Sequence, residues 1–274
     1  MNISGKTALI TGGSAGIGQA VAFALAEAGA SAVLIADIDD AGGEETVTGI
    51  ESRGARGIYR HTDVTDSSDM KGLFEAAERE MGGIDIVHNN AGIMLGDPGW
   101  PDVALERIGQ VVQVNLIGIM FGTRLAIDAL TRRGGGTVIN TASPAGFNPM
   151  PNDPMYSSTK AAIINFTQAC MPLNETHKVR VNTVLPGVTE TAILRKSGDG
   201  VTPAEWLRPM LAVVNKLSVE DISKGVIDLI EDDSRVGEGL SIENPETSDG
   251  EISYVRLADH AAFHERALAR AAGR

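Results

Sequence analysis

Disulfide chemistry is closed to this chain, because Cys170 is the only cysteine in 274 residues and no intrachain bridge can form. Nothing therefore points to an oxidising compartment. Phe166 and Ala169 flank that cysteine on a helical pattern, which predicts a packed thiol rather than a nucleophile. Positive charge is also in deficit. Lys and Arg number 23 against 36 Asp and Glu, a formal net charge of -13 that disfavours nonspecific binding to nucleic acid or to an anionic membrane surface. Long apolar stretches are missing too: runs such as 117–121 are broken by Gly and charge well short of the ~20 residues that cross a bilayer. The opening Met-Asn-Ile-Ser-Gly-Lys lacks the basic and apolar regions of a signal peptide, so a cytoplasmic protein is expected.

No solenoid repeat or low-complexity tract is visible. The 43% apolar and 22% charged residues suit a substantial core, and the length suits one large unit spanning 1–274. Short β-rich runs at 7–11, 32–37, 57–61, 84–89, 137–141 and 179–185 alternate with helical patterns at 16–28, 39–52, 67–81, 103–133, 155–176, 203–215 and 219–232. That alternation predicts an α/β fold: βαβ crossovers building a doubly wound parallel sheet with helices on both faces. Asp66-Ser-Ser-Asp69 and Ser218-Val-Glu-Asp221 each place a capping side chain three positions before an acid, as at a helix start. The stretch 188–216 is too long for a tight connection and predicts a lid. A seventh strand is expected at 240–242 or 252–255, and 244–274 reads as an atypical tail with a helix over 258–272.

Chemistry gathers in three places. After the first run, Gly12, Gly16 and Gly18 open a helix with the spacing G-x-x-x-G-x-G, so missing side chains let a pyrophosphate approach the backbone of a turn that also holds Ser14 and Ile17. Asp37 ends the second run nineteen residues after Gly18, followed by Ile38. A carboxylate there accepts from ribose hydroxyls and repels a 2′-phosphate, which favours NAD over NADP. Tyr156 and Lys160 stand four apart on a helical pattern and so share a face, with Ser143 thirteen residues upstream. A cation beside a phenol lowers its pKa, which makes Tyr156 a candidate general acid/base. His88 reads as packed, and His260 with His264, lacking a third ligand, as a solvated face and not a metal site.

Together with Asp63-Val64, Asn89-Asn90-Ala91-Gly92, Asn115 and Pro186-Gly187, these motifs resemble the short-chain dehydrogenase/reductase family over about residues 5–195. The resemblance implies a Rossmann-type NAD(P)-binding oxidoreductase with an Asn115-Ser143-Tyr156-Lys160 tetrad. Tyr156 would exchange a proton with the substrate oxygen, Ser143 would hold that oxygen, Lys160 would bind the nicotinamide ribose, and Asn115 would support a relaying water. Asp63 and Val64 would flank the adenine, and Asn90, Ala91 and Gly92 would line the cofactor. Pro186, Gly187, Val188, Thr189 and Thr191 would meet the nicotinamide carboxamide.

Met94, Leu95, Trp100, Ala145, Phe147, Met150, Leu194, Trp206, Leu207 and Met210 are candidates, with Ser143 and Tyr156, for an apolar pocket. The expectation is thus NAD-dependent interconversion of a secondary alcohol and a ketone, by a homodimer or homotetramer meeting through the helices that hold Asn115 and Tyr156. Two other readings stay open: an NADPH-preferring carbonyl reductase, opposed by Asp37, and a catalytically silent nucleotide-binding regulator, opposed by the complete tetrad.

Overall fold

In the computed structural model, which describes residues 1–244 and 251–259, eight strands form one sheet. They are β1 (Thr7–Thr11), β2 (Ala32–Asp37), β3 (Arg56–His61), β4 (Ile86–Asn89), β5 (Gly136–Thr141), β6 (Val179–Pro186), β7 (Gly239–Glu243) and β8 (Ser253–Arg256), in the spatial order 3-2-1-4-5-6-7-8. The first seven run parallel and β8 returns antiparallel on β7. Both candidates for a seventh strand therefore exist, the second as a hairpin edge.

The helices are α1 (Gly16–Glu27), α2 (Asp40–Glu51), α3 (Ser67–Met81), α4 (Leu105–Val112), α5 (Gly118–Arg133), α6 (Pro154–Ala169), α7 (Leu173–His177), α8 (Ala192–Lys196), α9 (Arg208–Leu211) and α10 (Val219–Glu231). Strand side chains alternate between two cores. Ile10, Ile35 and Ile139 face Val21 and Leu25 of α1 and Val226 of α10, all fully buried. Leu9, Leu34, Val87 and Val138 face Leu73 of α3 and Leu130 of α5 on the other side. Helix starts follow the caps: Asp66 accepts from the N–H of Ser68 at 2.6 Å, and Ser218 and Asp221 form a reciprocal capping box.

Three predicted helices differ in detail. The pattern over 103–133 starts at Leu105 and is interrupted by a π-helical turn, Gln113–Ile117. The run 155–176 breaks before Pro172, which cannot continue a hydrogen-bonded turn. Of 203–215, only Arg208–Leu211 is helical, because Ala204, Trp206 and Leu207 are committed to tertiary contacts with the loop after β4. The predicted strand 84–89 begins at Ile86. His260, His264 and nearly all of the tail helix lie outside the described residues. Residues 105–133 are apolar and long enough to cross a bilayer, yet they form the crossover from β4 to β5, with Ala126, Ala129 and Leu130 packed on the sheet.

Candidate active site

The chain winds outward from β1 to β3, then returns to place β4 on the other side of β1. Loops leaving β1 and β4 therefore part company, and a crevice opens at the strands' carboxyl ends. It is a cleft of about 1000 Å³.

At one end the glycine turn wraps under α1. Gly12 holds a φ of +67°, and a Cβ there would lie 2.8 Å from Cα of Ala91. A Cβ on Gly18 would lie 2.2 Å from the Gly12 carbonyl, so Gly18 sits beneath the turn while Gly16 and Ile17 line the cleft. Asn90 fixes the turn to β4, donating its Nδ2 to the carbonyls of Thr11 at 3.2 Å and Gly12 at 3.0 Å. The N-terminus of α1 has no side-chain cap, leaving its backbone N–H groups to the cleft. A cradle that any Cβ would fill, under an uncapped helix start, fits a dinucleotide diphosphate.

Asp37 is fixed beside that turn. It accepts from the N–H groups of Ser14 at 3.1 Å, Ile38 at 2.8 Å and Asp39 at 3.2 Å, and it lines the cleft. Ile38 forms an exposed lip. Asp63 is oriented by Thr65, whose N–H and hydroxyl both donate to its Oδ1, and Val64 is buried against Gly118 as a wall. Ala91 and Gly92 continue along the floor.

The other end holds Ser143, Tyr156 and Lys160. Ser143 Oγ accepts from the N–H of Ala145 at 3.2 Å and stands close enough to the Tyr156 phenol to favour its ionised form. Lys160 Nζ donates to the carbonyl of Thr141 at 2.8 Å and lies 5.3 Å from the centre of the Tyr156 ring. Asn115 sits in the π turn, fully buried behind the cleft wall. Its amide pairs with both backbone groups of Ile93 at 2.8 Å, and a Cβ on Gly92 would touch both Asn115 Oδ1 and Lys160 Nζ.

One electrostatic expectation is corrected. Rather than Lys160 lowering the phenol, burial pushes Tyr156 up to about 12, only eased by Ser143 and raised further by Asp153, while burial brings Lys160 down to about 7. Loss of hydration on burial is the leading cause of both shifts.

Pro186 ends β6 and Gly187 follows it, where a Cβ would meet Asn244 Oδ1 at 2.4 Å. Val188 lines the cleft, and its N–H is donated to Asn244 Oδ1 at 2.8 Å. Thr189 and Thr191 remain on that wall, the Thr191 methyl facing Gly16. Above Tyr156, Met94, Ala145, Met150, Leu194, Trp206, Leu207 and Met210 line the cleft as expected. Three candidates do not line it. Leu95 is buried behind the wall, Trp100 points to solvent at 44% exposure, and Phe147 packs with Ile119, Ala142 and Ile163.

Sequence reasoning passed over Arg107, Asp153 and Asn244. Asp153 had a readable signal, an Asn/Asp-type cap directly before a proline at the first helical position. Arg107 and Asn244 act on backbone carbonyls distant in sequence, for which the chain gives no local sign.

Residues 6–201 match the short chain dehydrogenase family. The chain is 34% identical over 199 residues to a 2,5-dichloro-2,5-cyclohexadiene-1,4-diol dehydrogenase of Sphingobium indicum, covering 72% of this chain and 78% of that one. It is 31% identical over 255 residues to the 15-hydroxyprostaglandin dehydrogenase [NAD(+)] of Mus musculus, covering 88% and 91%. Among solved structures it is similar to an NAD+-bound xylitol dehydrogenase, with a TM-score of 0.78, 26% identity and coverage of 88% and 99%. It is also similar to the 3-ketoacyl-(acyl-carrier-protein) reductase of Brucella melitensis complexed with NADH, with a TM-score of 0.77, 28% identity and coverage of 87% and 97%. The chain belongs to the short-chain dehydrogenase family and is an NAD(P)-dependent oxidoreductase acting on CH–OH groups.

Proposed function

We propose that this enzyme interconverts a secondary alcohol and a ketone with NAD, and that Tyr156 exchanges the proton with the substrate oxygen. The observation that carries the reading is the convergence of the Ser143 hydroxyl, the Tyr156 phenol and the Lys160 ammonium on one floor of the cleft whose other end holds the glycine cradle. Bound there, the nicotinamide supplies the hydride acceptor or donor. Ser143, its oxygen already accepting from Ala145, has its own O–H left to donate to the substrate oxygen. Lys160, poised near neutrality, holds a proton at Nζ next to the phenol and the ribose position. Asn115 keeps Ile93 and Gly92 in place beside Lys160.

NAD rather than NADP is supported by Asp37, whose carboxylate is held rigid by three backbone N–H groups and stands near Asp39 and Asp40. A 2′-phosphate there would meet concentrated negative charge. The apolar cluster of Met94, Met150, Ile193, Leu194, Trp206 and Leu207 around Tyr156 favours an apolar substrate, with 188–216 closing over it. A homodimer or homotetramer in the cytoplasm completes the proposal. Only 39% of the most apolar stretch of 105–133 is buried within one chain, which leaves a face for a second subunit.

Tyr156→Phe is expected to keep NAD affinity within about twofold and to lower turnover by about 10²–10⁴-fold, the usual worth of a general acid/base. Fluorescence titration and NADH absorbance over an alcohol and ketone panel measure the two quantities. Undiminished turnover in that variant defeats the mechanism, and faster rates with NADPH than with NADH defeat the cofactor assignment. NAD binding without turnover of any panel member would favour the silent regulator.

A further inference from the structure

Tyr156 is held through its own amide by a side chain outside the tetrad. Asp153 precedes α6 and is fully buried. Its Oδ1 accepts the N–H of Tyr156 at 2.9 Å, and its Oδ2 accepts the N–H of Leu95 at 2.8 Å. Leu95 adjoins Met94, whose side chain packs in the same apolar cluster as Tyr156. From the other side, Arg107 of α4 donates through Nε to the carbonyl of Leu95 at 2.9 Å and through Nη2 to that of Met94 at 2.5 Å. One carboxylate thus ties the start of the tyrosine's helix to the wall facing the phenol, and one guanidinium ties that wall to α4.

Capping alone does not require an ion here. Ser or Asn caps a helix about as well as Asp, and a buried carboxylate carries a desolvation penalty that they avoid. Burial does push the Asp153 carboxyl up, opposed by the N–H groups of Leu95 and Tyr156 and by the charge of Arg107. What a carboxylate adds over a neutral cap is a second acceptor oxygen, used on Leu95, and a negative charge close to the phenol.

We propose that Asp153 is a positioning residue for Tyr156, holding the phenol against the Met94–Leu95 wall and, with Arg107 as its counter-charge, placing a fixed negative charge beside the proton-transfer site. The proposal rests on the reading of Tyr156 as the proton-exchanging group. The charged groups around that phenol are Lys160 on the same helix, Asp153 itself, Arg107 on α4, and Lys196 on α8 lining the same cleft, with the neutral Ser143 hydroxyl after β5 beside them. A nearby anion favours the protonated phenol. Asp153 therefore adds to burial in keeping the proton on Tyr156, which suits donation to a ketone and raises the pH above which alcohol oxidation accelerates.

The test is Asp153→Asn in the full-length enzyme, which retains one acceptor and the side-chain shape but loses the charge. In the pH profile of kcat/KM for alcohol oxidation, the limb that reports phenol ionisation is expected to move down by about 0.5–1 pH unit. Loss of the wall attachment is expected to lower kcat by about tenfold, with NAD affinity within about twofold. An unmoved limb overturns the proposal, whether kcat is unchanged or is lowered as by a merely structural cap. Should Asp153→Asn fail to fold, Asp153→Ser carries the same test, since a serine caps the helix without the charge or the reach to Leu95. Tyr156→Phe is run in parallel. Its silence confines any failure to Asp153, whereas its continued turnover would overturn the underlying reading of the tyrosine as well.

Discussion

Replacing Lys160 with Met should stabilise the ligand-free protein while removing turnover. Lys160 is 2% exposed, and its ammonium has one hydrogen-bonding partner among the described residues, the Thr141 carbonyl at 2.8 Å. Bringing that group from an ordinary 10.5 to about 7 corresponds to a burial cost on the order of 5 kcal/mol for the charged form, at about 1.4 kcal/mol per pH unit. Met keeps the apolar stem and gives up the hydrogen bond, a loss of about 1–3 kcal/mol. A net gain of about 2–4 kcal/mol is then expected at pH 6, where the ammonium is charged in both folded and unfolded chains.

The sign of the pH dependence follows from the depressed folded value. Between about 7 and 10.5 the native protein binds fewer protons at Lys160 than the unfolded chain does, so this residue's penalty fades and wild-type stability rises with pH. The advantage of Lys160→Met should therefore shrink from pH 6 to pH 9. Urea unfolding of both proteins across that range measures it, and their difference cancels the other titrating groups. Parallel stability profiles, or a variant less stable than wild type at pH 6, would refute the assignment of a strained buried lysine.

Three other perturbations address the cofactor and substrate ends. Asp37→Asn keeps an acceptor but loses the charge, so the ratio of kcat/KM for NAD over NADP should fall by about 10–100-fold, as expected for a hydrogen bond to a charged group; an unchanged ratio would sink the role of Asp37. Gly18→Ala drives a Cβ to 2.2 Å from the Gly12 carbonyl, and the displaced turn should weaken NAD binding by about tenfold or more, seen by fluorescence titration with an unaltered far-UV spectrum. Trp206→Phe removes the 3.1 Å bond from Nε1 to the Gly96 carbonyl and should raise the substrate KM about 3–10-fold with the NAD KM unchanged; equal changes in both would place Trp206 outside the substrate end.

The parallel strands were legible because burial on both faces leaves nearly every position apolar, as in Ala32–Asp37. Tyr156, Lys160 and Ser143 were legible because their spacing survives translation into a helix and a strand end. The π turn was not. Its extra residue is stabilised by the amide of Asn115 clasping Ile93, 22 positions earlier, and no local periodicity encodes such a contact. The ionisation of Tyr156 also eluded the sequence, since neighbours four apart announce a charge pair but not how far tertiary packing buries it. For 203–215 helical propensity lost to tertiary anchoring, with the indole of Trp206 bound to Gly96 and the amide of Glu205 bound to Asp97.

Asn244 gives the order of the chain an unexpected weight. Every residue of the tetrad and of the glycine cradle has been synthesised by position 160, yet the peptide at Val188 is braced by an amide that arrives 56 positions after it. The same amide also grips the carbonyl of Asn215, stitching the far end of the roof to the last strands. A fragment halted at residue 238 would thus contain all the recognisable chemistry while lacking the late fastening that holds the Val188 wall of the cleft in shape.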